Sequence, residues 1–163
     1  MPMYQHMLKA LSTFPALHRI VVSRYTEILE DAERLGMQAV VNRQPALGIS
    51  HSLILGLQEA IAENTDLKGV LFAVCDQPGL KADTISRLLR KAQENPGKIV
   101  CAGRKGRPGN PVVWDQRYFK ELLGLAGDTG GRQVMKNYPG DILVLETAEG
   151  ELWDIDRKED MTQ

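Results

Sequence analysis

Six apolar residues, Val70-Leu71-Phe72-Ala73-Val74-Cys75, run straight into a carboxylate, an amide and a proline at Asp76-Gln77-Pro78. A short apolar run rich in β-branched residues and closed by turn chemistry predicts a strand buried on both faces, as in a parallel sheet. In open α/β sheets, ligands sit beyond the carboxyl ends of such strands. Asp76 is placed just past the core, at that edge. Metal binding is one reading of it, and a turn or capping aspartate is the plainer one.

The flanking patterns fit the same architecture. Behind Pro2, residues Tyr4, Met7, Leu8 and Leu11 recur at helical spacing. Ile20 to Val22 reads as a short strand, and Ser23 as the cap of a helix with Tyr25, Ile28, Leu29, Ala32 and Leu35 on its apolar face, stopped by Gly36. Met37 to Val41 is a further strand, and Ser50 opens a helix carrying Leu53, Ile54, Leu57 and Ile61. After Pro78 a helix bears Ile85, Leu88, Leu89 and Ala92, and Ile99 to Ala102 follows as a strand. Gly103 to Pro111 predicts a loop, because glycine and proline punctuate it so heavily. Val112 to Trp114 is a strand, Asp115 caps a helix with Tyr118, Phe119, Leu122 and Leu123, and Asp128 to Gly131 opens a short helix through Met135. Ile142 to Leu145 and Leu152 to Ile155 complete the strands. Strands alternating with helices predict an α/β chain with a mostly parallel sheet and helices on both faces. No linker or repeat divides it, so residues 1–163 read as a single domain.

Bulk composition excludes more than it assigns. Twenty Lys and Arg balance 21 Asp and Glu, for a formal charge of −1, which gives no support to a nucleic-acid or membrane-surface partner. No apolar run reaches membrane-span length and the start has no signal-peptide pattern. Cys75 and Cys101 read as reduced thiols at strand ends, the usage of a cytoplasmic protein.

Four connections carry candidate chemistry. Asp76-Gln77-Pro78 has a possible counterpart in Asp154-Ile155-Asp156, where strand alternation would put Asp154 and Asp156 on one face. Two carboxylates meeting at a sheet edge suit Mg²⁺, a hard cation that takes oxygen ligands, and no Cys/His spacing suits zinc. In the second connection, Asn42 to Ser52, backbone N–H groups with the Ser50 and Ser52 hydroxyls could meet a phosphate or a sugar, or Ser50 could simply cap the helix. Gly56 within that helix points to close packing against the sheet or a ligand. The third, Gly103 to Pro111, sets Arg104, Lys105 and Arg107 among glycines, either closing over an anion or standing as a solvated loop. The fourth, Gly127 to Arg132, is an anion-binding or merely capped helix start.

These pieces together resemble a family, the molybdenum cofactor cytidylyltransferases within the molybdopterin nucleotidyltransferase-like group. The resemblance is carried by Asn42 with Gly48-Ile49-Ser50-His51-Ser52-Leu53 and Gly56-Leu57, then Asp76-Gln77-Pro78, Gly109-Asn110-Pro111-Val112, Gly127-Asp128-Thr129-Gly130-Gly131-Arg132, and Asp154-Ile155-Asp156 before Glu159-Asp160. It implies a three-layer Rossmann-like fold of the nucleotide-diphospho-sugar transferase type. It implies transfer of CMP or GMP from a nucleoside triphosphate to molybdopterin with release of pyrophosphate, and Mg²⁺ held by Asp76 and Asp156. Asn42, Ser50 and Ser52 would lie near the nucleotide with Gln77, and Gly109, Asn110, Asp128 and Arg132 toward the pterin or the transferred phosphate. Arg107 and Arg132 are the cations expected to hold phosphate. A molybdenum hydroxylase is the partner such a product would reach, and a homo-oligomer is compatible with the pattern.

One family element is missing. Members of that group begin with a strand and a glycine-rich loop of the type L-A-A-G-x-S-x-R-x-G, followed by a lysine, which together grip the triphosphate. Here the first glycine is Gly36, and Met1 to Tyr4 resembles the segment after that loop. Roughly 20–25 residues are expected ahead of it, by the usual length of a strand–loop–helix unit. A start codon assigned too far downstream, a shortened chain, or a natural chain that has lost catalysis would each give this pattern. The intact downstream motifs favour the first two. The competing functional classes are a nucleotide-sugar nucleotidyltransferase and a non-catalytic nucleotide- or cofactor-binding domain.

Overall fold

A computed structural model describes residues 1–154. The chain opens with α1 (Met3–Ser12), β1 (Ile20–Ser23), α2 (Thr26–Arg34) and β2 (Gln38–Val41). It continues through α3 (Ile49–Glu63), β3 (Gly69–Phe72), α4 (Ala82–Glu94), β4 (Ile99–Arg104) and β5 (Arg107–Asp115). Two short helices, α5 (Phe119–Leu123) and α6 (Arg132–Met135), lead to β6 (Ile142–Glu146).

β1 and β2 pair in parallel, Ile20 opposite Gln38 through Ser23 opposite Val41. The other four strands form a second sheet in the order β3-β5-β4-β6. β4 and β6 are parallel, whereas β5 is antiparallel to both β3 and β4. β3, β4 and β6 therefore point one way and only β5 is reversed, so the sheet is mostly parallel by strand direction.

Strand alternation sorts the core into two faces. Ile99, Cys101, Val112 and Trp114 pack with Leu57 of α3, Leu122 of α5, and Val134 and Met135 of α6. Val100, Ala102 and Val113 face the other way, onto Leu88 of α4. Helices thus cover both faces, the expected three layers. A third cluster, Leu8, Val21, Ala32 and Met37, holds α1 and α2 on β1. Met7 of α1 meets Leu80 and Ile85 beside α4. Helix α3 packs on β1 as well as on β3, and Gly56 approaches β1 so closely that a Cβ would lie 3.3 Å from Val22 Cγ2. No helix among the described residues is long and apolar enough to cross a membrane.

Three expectations need correction. The strand expected over Val70 to Cys75 ends at Phe72, and its residues are half-buried. Among the described residues it has a ladder neighbour on one side only, β5. Cys75 sits in the following loop, and both it and Cys101 are free thiols. The expected loop over Gly103 to Pro111 is mostly β-hairpin. Lys105 (φ 52°) and Gly106 (φ 74°) make its two-residue turn, the positive-φ pair that fits strand twist. Proline is tolerated because Arg104 and Arg107 flank the turn as a hydrogen-bonded pair, so Gly103 and Pro108 form a non-bonded pair and the missing N–H points away from β4. Beyond Pro111, β3 asks for nothing, since its pairing stops at Val112. The third correction is at the C-terminal end, where Glu151 and Leu152 form a turn and no strand runs through Asp154. Ile155 and Asp156 lie outside the described residues.

Smaller shifts occur at helix ends. Ser23 closes β1, and its hydroxyl accepts the Tyr25 N–H at 3.1 Å, while Tyr25 and Leu35 are exposed instead of joining the apolar face of α2. Asp115 caps as expected, accepting the Arg117 N–H at 2.9 Å.

Candidate active site

Because β3, β4 and β6 share a direction, their carboxyl ends and the amino end of β5 lie along one edge. Four segments gather there: residues 73–81 after β3, the Lys105–Gly106 turn, the start of β5, and residues 147–154 after β6.

The closest meeting is between the first and last of these. At Gly79 a Cβ would stand 2.6 Å from the Gly150 carbonyl oxygen, so only glycine lets the two backbones touch. Gln77 is 4% exposed. Its Nε2 donates to the Leu152 carbonyl at 3.4 Å, and its Oε1 is buried with no hydrogen-bond partner among the described residues. Asp76, half-buried, immediately precedes it. Although Cys75 is exposed, desolvation by the surrounding protein and, secondarily, the neighbouring Asp76 carboxylate push its thiol up. Gly109 also reaches this seam, since its Cβ would lie 3.4 Å from Leu152 Cδ1.

Glu151 ties the seam together. It is as buried as Gln77, and its Oε1 accepts the Lys81 N–H at 3.2 Å and the Thr84 hydroxyl at 2.6 Å. Its Oε2 accepts the Ala148 N–H at 3.1 Å. Helix α4 has no side-chain cap at Lys81, so Glu151 supplies the carboxylate that a helix N-terminus favours, from 70 residues away. A second carboxylate, Glu146, fixes the hairpin tip by accepting the Lys105 and Gly106 N–H groups at 2.9 and 2.6 Å. Those backbone bonds, Gly106's first, hold its carboxyl below the usual glutamate range. The tip in turn sets where Arg107 begins β5, with its side chain exposed.

The second group of candidates lies around the start of α3. Asn42 follows β2, is buried, accepts the Gln44 N–H through Oδ1 at 2.9 Å and donates to Ser52 Oγ at 2.8 Å. Ser50 is buried, and both its N–H and its hydroxyl donate to the Gly127 carbonyl, at 3.3 and 2.7 Å. Gly48 (φ 88°) lies against the same segment, where a Cβ would sit 2.4 Å from Gly127 O and 2.6 Å from Asp128 Oδ1. Asn42, Ser50 and Ser52 therefore shape a joint between two loops, and Asp128 is brought to it. Arg132 is exposed at the first position of α6. Gly131 behind it has no room for a side chain, its Cβ position being 2.4 Å from Trp114 Cζ2.

Asp76, Gln77, Arg107, Gly109 and Asn110 thus fall on one edge, with exposed Asp154 ending the described chain there. Asp156, the expected second metal ligand, lies beyond it. Among the described residues no three His, Cys, Asp or Glu side chains form a metal-holding group. Glu151, Glu146, Thr84 and Gly79 were not singled out by sequence reasoning. The signals for them were weak: Gly79 after Pro78 and Gly150 before Glu151 read only as turn punctuation, and a glutamate in Ala-Glu-Gly-Glu looks solvated.

Several known proteins are similar. Over 159 residues the chain is 32% identical to phosphoenolpyruvate guanylyltransferase of Sphaerobacter thermophilus, covering 97% of this chain and 74% of that one. It is 31% identical over 115 residues to purine catabolism protein PucB of Bacillus subtilis, covering 69% of this chain and 54% of that protein, so it spans little more than half that relative's length. In fold it matches a nucleotidyl transferase of Methanothermobacter with a TM-score of 0.80 at 20% identity, covering 98% of this chain and 77% of that one. Residues 1–142 match the MobA-like NTP transferase domain, and the chain belongs to that family.

Proposed function

We propose that this chain is a nucleotidyltransferase that moves CMP or GMP from a nucleoside triphosphate to the phosphate of molybdopterin and releases pyrophosphate. Family membership supports the reaction class, and the motif resemblance supports the acceptor. The observation that carries the site is the 76–79 loop beyond β3, where buried Gln77 presents an oxygen with no partner among the described residues, directly after Asp76.

The donors here fit a hard divalent cation. Asp76, Gln77 and Asp154 all offer oxygen, the ligand type that Mg²⁺ takes, commonly one or two from protein and the rest from water and phosphate. Asp76 and Asp156 would hold it, and when bound it neutralises charge on the phosphates and the departing pyrophosphate. In the transfer, an anionic oxygen of the acceptor phosphate bonds to the α-phosphorus while the bond from that phosphorus to the bridging oxygen breaks. Pyrophosphate leaves with that oxygen. The attacking oxygen is already ionised, so no general base is required, and the protein's work is positioning and charge. Arg107 and Arg132, exposed and at the mouths of the two loop groups, supply guanidinium forks for phosphate. The Gly48–Ser50–Gly127–Asp128 joint, in which the Gly127 carbonyl takes both the Ser50 N–H and its hydroxyl, would shape the nucleotide side of the site. The cytoplasm, where both substrates are expected, is the compartment proposed.

Asp76→Ala is expected to lower Mg²⁺-dependent pyrophosphate release from CTP, with molybdopterin as acceptor, by roughly 10³-fold, about 4 kcal/mol of transition-state stabilisation. Undiminished release by the variant in the full-length protein would sink this reading. The 32% identity to a phosphoenolpyruvate guanylyltransferase over nearly the whole chain supports a second reading, in which the base is guanine and the acceptor is another phosphate-bearing metabolite. Turnover of CTP against GTP, with molybdopterin against phosphoenolpyruvate, separates the two.

A further inference from the structure

We propose that Glu151 is a positioning residue for the Asp76 site. The inference rests on the reading of Asp76 as a ligand to a divalent cation, and adds a residue that neither the motifs nor the family match singles out. Three observations carry it. Buried Glu151 joins the turn at 148–152 to the first turn of α4 through the Lys81 N–H, the Thr84 hydroxyl and the Ala148 N–H. That turn meets the 76–79 loop at two further points, the backbone contact of Gly79 with Gly150 and the Gln77 amide on the Leu152 carbonyl. The unpartnered Gln77 Oε1 lies in this same seam, on the residue that follows Asp76 in the chain.

The loop carrying Asp76 has no ladder of its own, because β3 ends at Phe72. Its position is set by what it leans on: the turn anchored by Glu151 and, through Leu80, Met7 of α1 and Ile85 of α4. The same turn fixes where Trp153 and Asp154 leave the body of the protein, since the Trp153 N–H closes on the Gly150 carbonyl at 3.4 Å. One buried carboxylate thus holds the 148–152 turn against the loop bearing Asp76, without touching the cation itself. Groups that orient a metal ligand from behind commonly change affinity by about 10–100-fold when replaced.

The test is a Mn²⁺ titration of the full 163-residue chain, following free Mn²⁺ by its electron paramagnetic resonance signal. Asp76→Asn is expected to abolish binding. Glu151→Gln is expected to weaken it about tenfold. Gly79→Ala, which forces the two segments apart without altering Glu151, should weaken it similarly, and Thr84→Val, which removes one donor to Glu151, by a smaller factor in the same direction. Melting temperatures identify the folded fraction, to which each affinity is referred. A role in folding alone would lower melting temperatures yet leave the affinity of folded molecules unchanged, and that result overturns the proposal. Loss of binding in Asp76→Asn, with the other three variants matching the parent, overturns the role of Glu151 and leaves the Asp76 reading standing. Parent-like binding in Asp76→Asn, or no binding by the parent chain, overturns both.

Discussion

Among the described residues, β4 and β5 of the larger sheet each have a strand on either side, whereas β1 and β2 have only each other. The consequence is visible in burial. Five of the six residues of β4 are buried, while in β1 and β2 together only Val21 is. The larger sheet is held by its own ladders and by helices on both faces. The smaller one is held mainly by the helices laid on it, α1, α2 and α3. The difference teaches where each half gets its stability: one from sheet and core together, the other from helix docking.

The largest expected effect that probes this contrast is Trp114→Ala. Trp114 is buried in β5, edge-on to Tyr118 at 6.0 Å, and packed under Gly131. Its loss should cost about 3–5 kcal/mol in urea denaturation. Leu8→Ala, in the smaller cluster, should cost about 2–3 kcal/mol, near the low end for such a change because α1 can settle into the gap. Hydrogen exchange sharpens the same point: amides of β4 and β5 should exchange only on global unfolding, those of β1 and β2 earlier. Equal protection in both sheets would erase the distinction. Gly131→Ala should cost about 1–3 kcal/mol by pressing a methyl group on the Trp114 ring.

The smallest effect is electrostatic, and each half offers a matched probe. Asp141 is held below the ordinary aspartate value by the Tyr118 hydroxyl, then by Lys98. Asp31 is held low by the Tyr4 hydroxyl, then by Gln5, with Arg34 adding to it. Both pKa values are depressed on folding, so each contributes stability that is present above the ordinary carboxylate range and lost as pH falls through the folded value. Asp141→Asn and Asp31→Asn should each flatten the fall of the melting temperature with acid. A slope identical to the parent's in Asp141→Asn would show that its carboxylate adds nothing.

The helices were legible because their apolar spacing survives tertiary packing: Leu57 in α3, and Ile85 and Leu88 in α4, are all buried as their pattern predicts. The hairpin was not, because its prolines fall where no ladder needs their N–H, a fact about the neighbouring strands and not about residues 103–111 themselves. The apolar run overstates β3 because hydrophobicity does not reveal that, among the described residues, only one of its edges is paired. At the site, Asp76 was visible as a carboxylate ending an apolar run. Glu151 was invisible, because its burial depends on Lys81 and Thr84, far away along the chain. The Ser50 hydroxyl is evident in the sequence, but its bond to Gly127 emerges only when two distant loops meet.

The strand order also bears on how the protein emerges from the ribosome. β3 must wait for β5 to find its neighbour, so no described ladder of the larger sheet forms until β5, residues 107–115, is made. β1 and β2, with α1 and α2, are complete by Val41. Synthesis proceeds at about 5–20 residues per second, so the nascent chain spends several seconds carrying a finished small sheet and the unmatched apolar strand at Val70 to Phe72. That interval is when a chaperone has most to cover, and slowing synthesis between residues 72 and 115 should raise aggregation more than slowing it anywhere else.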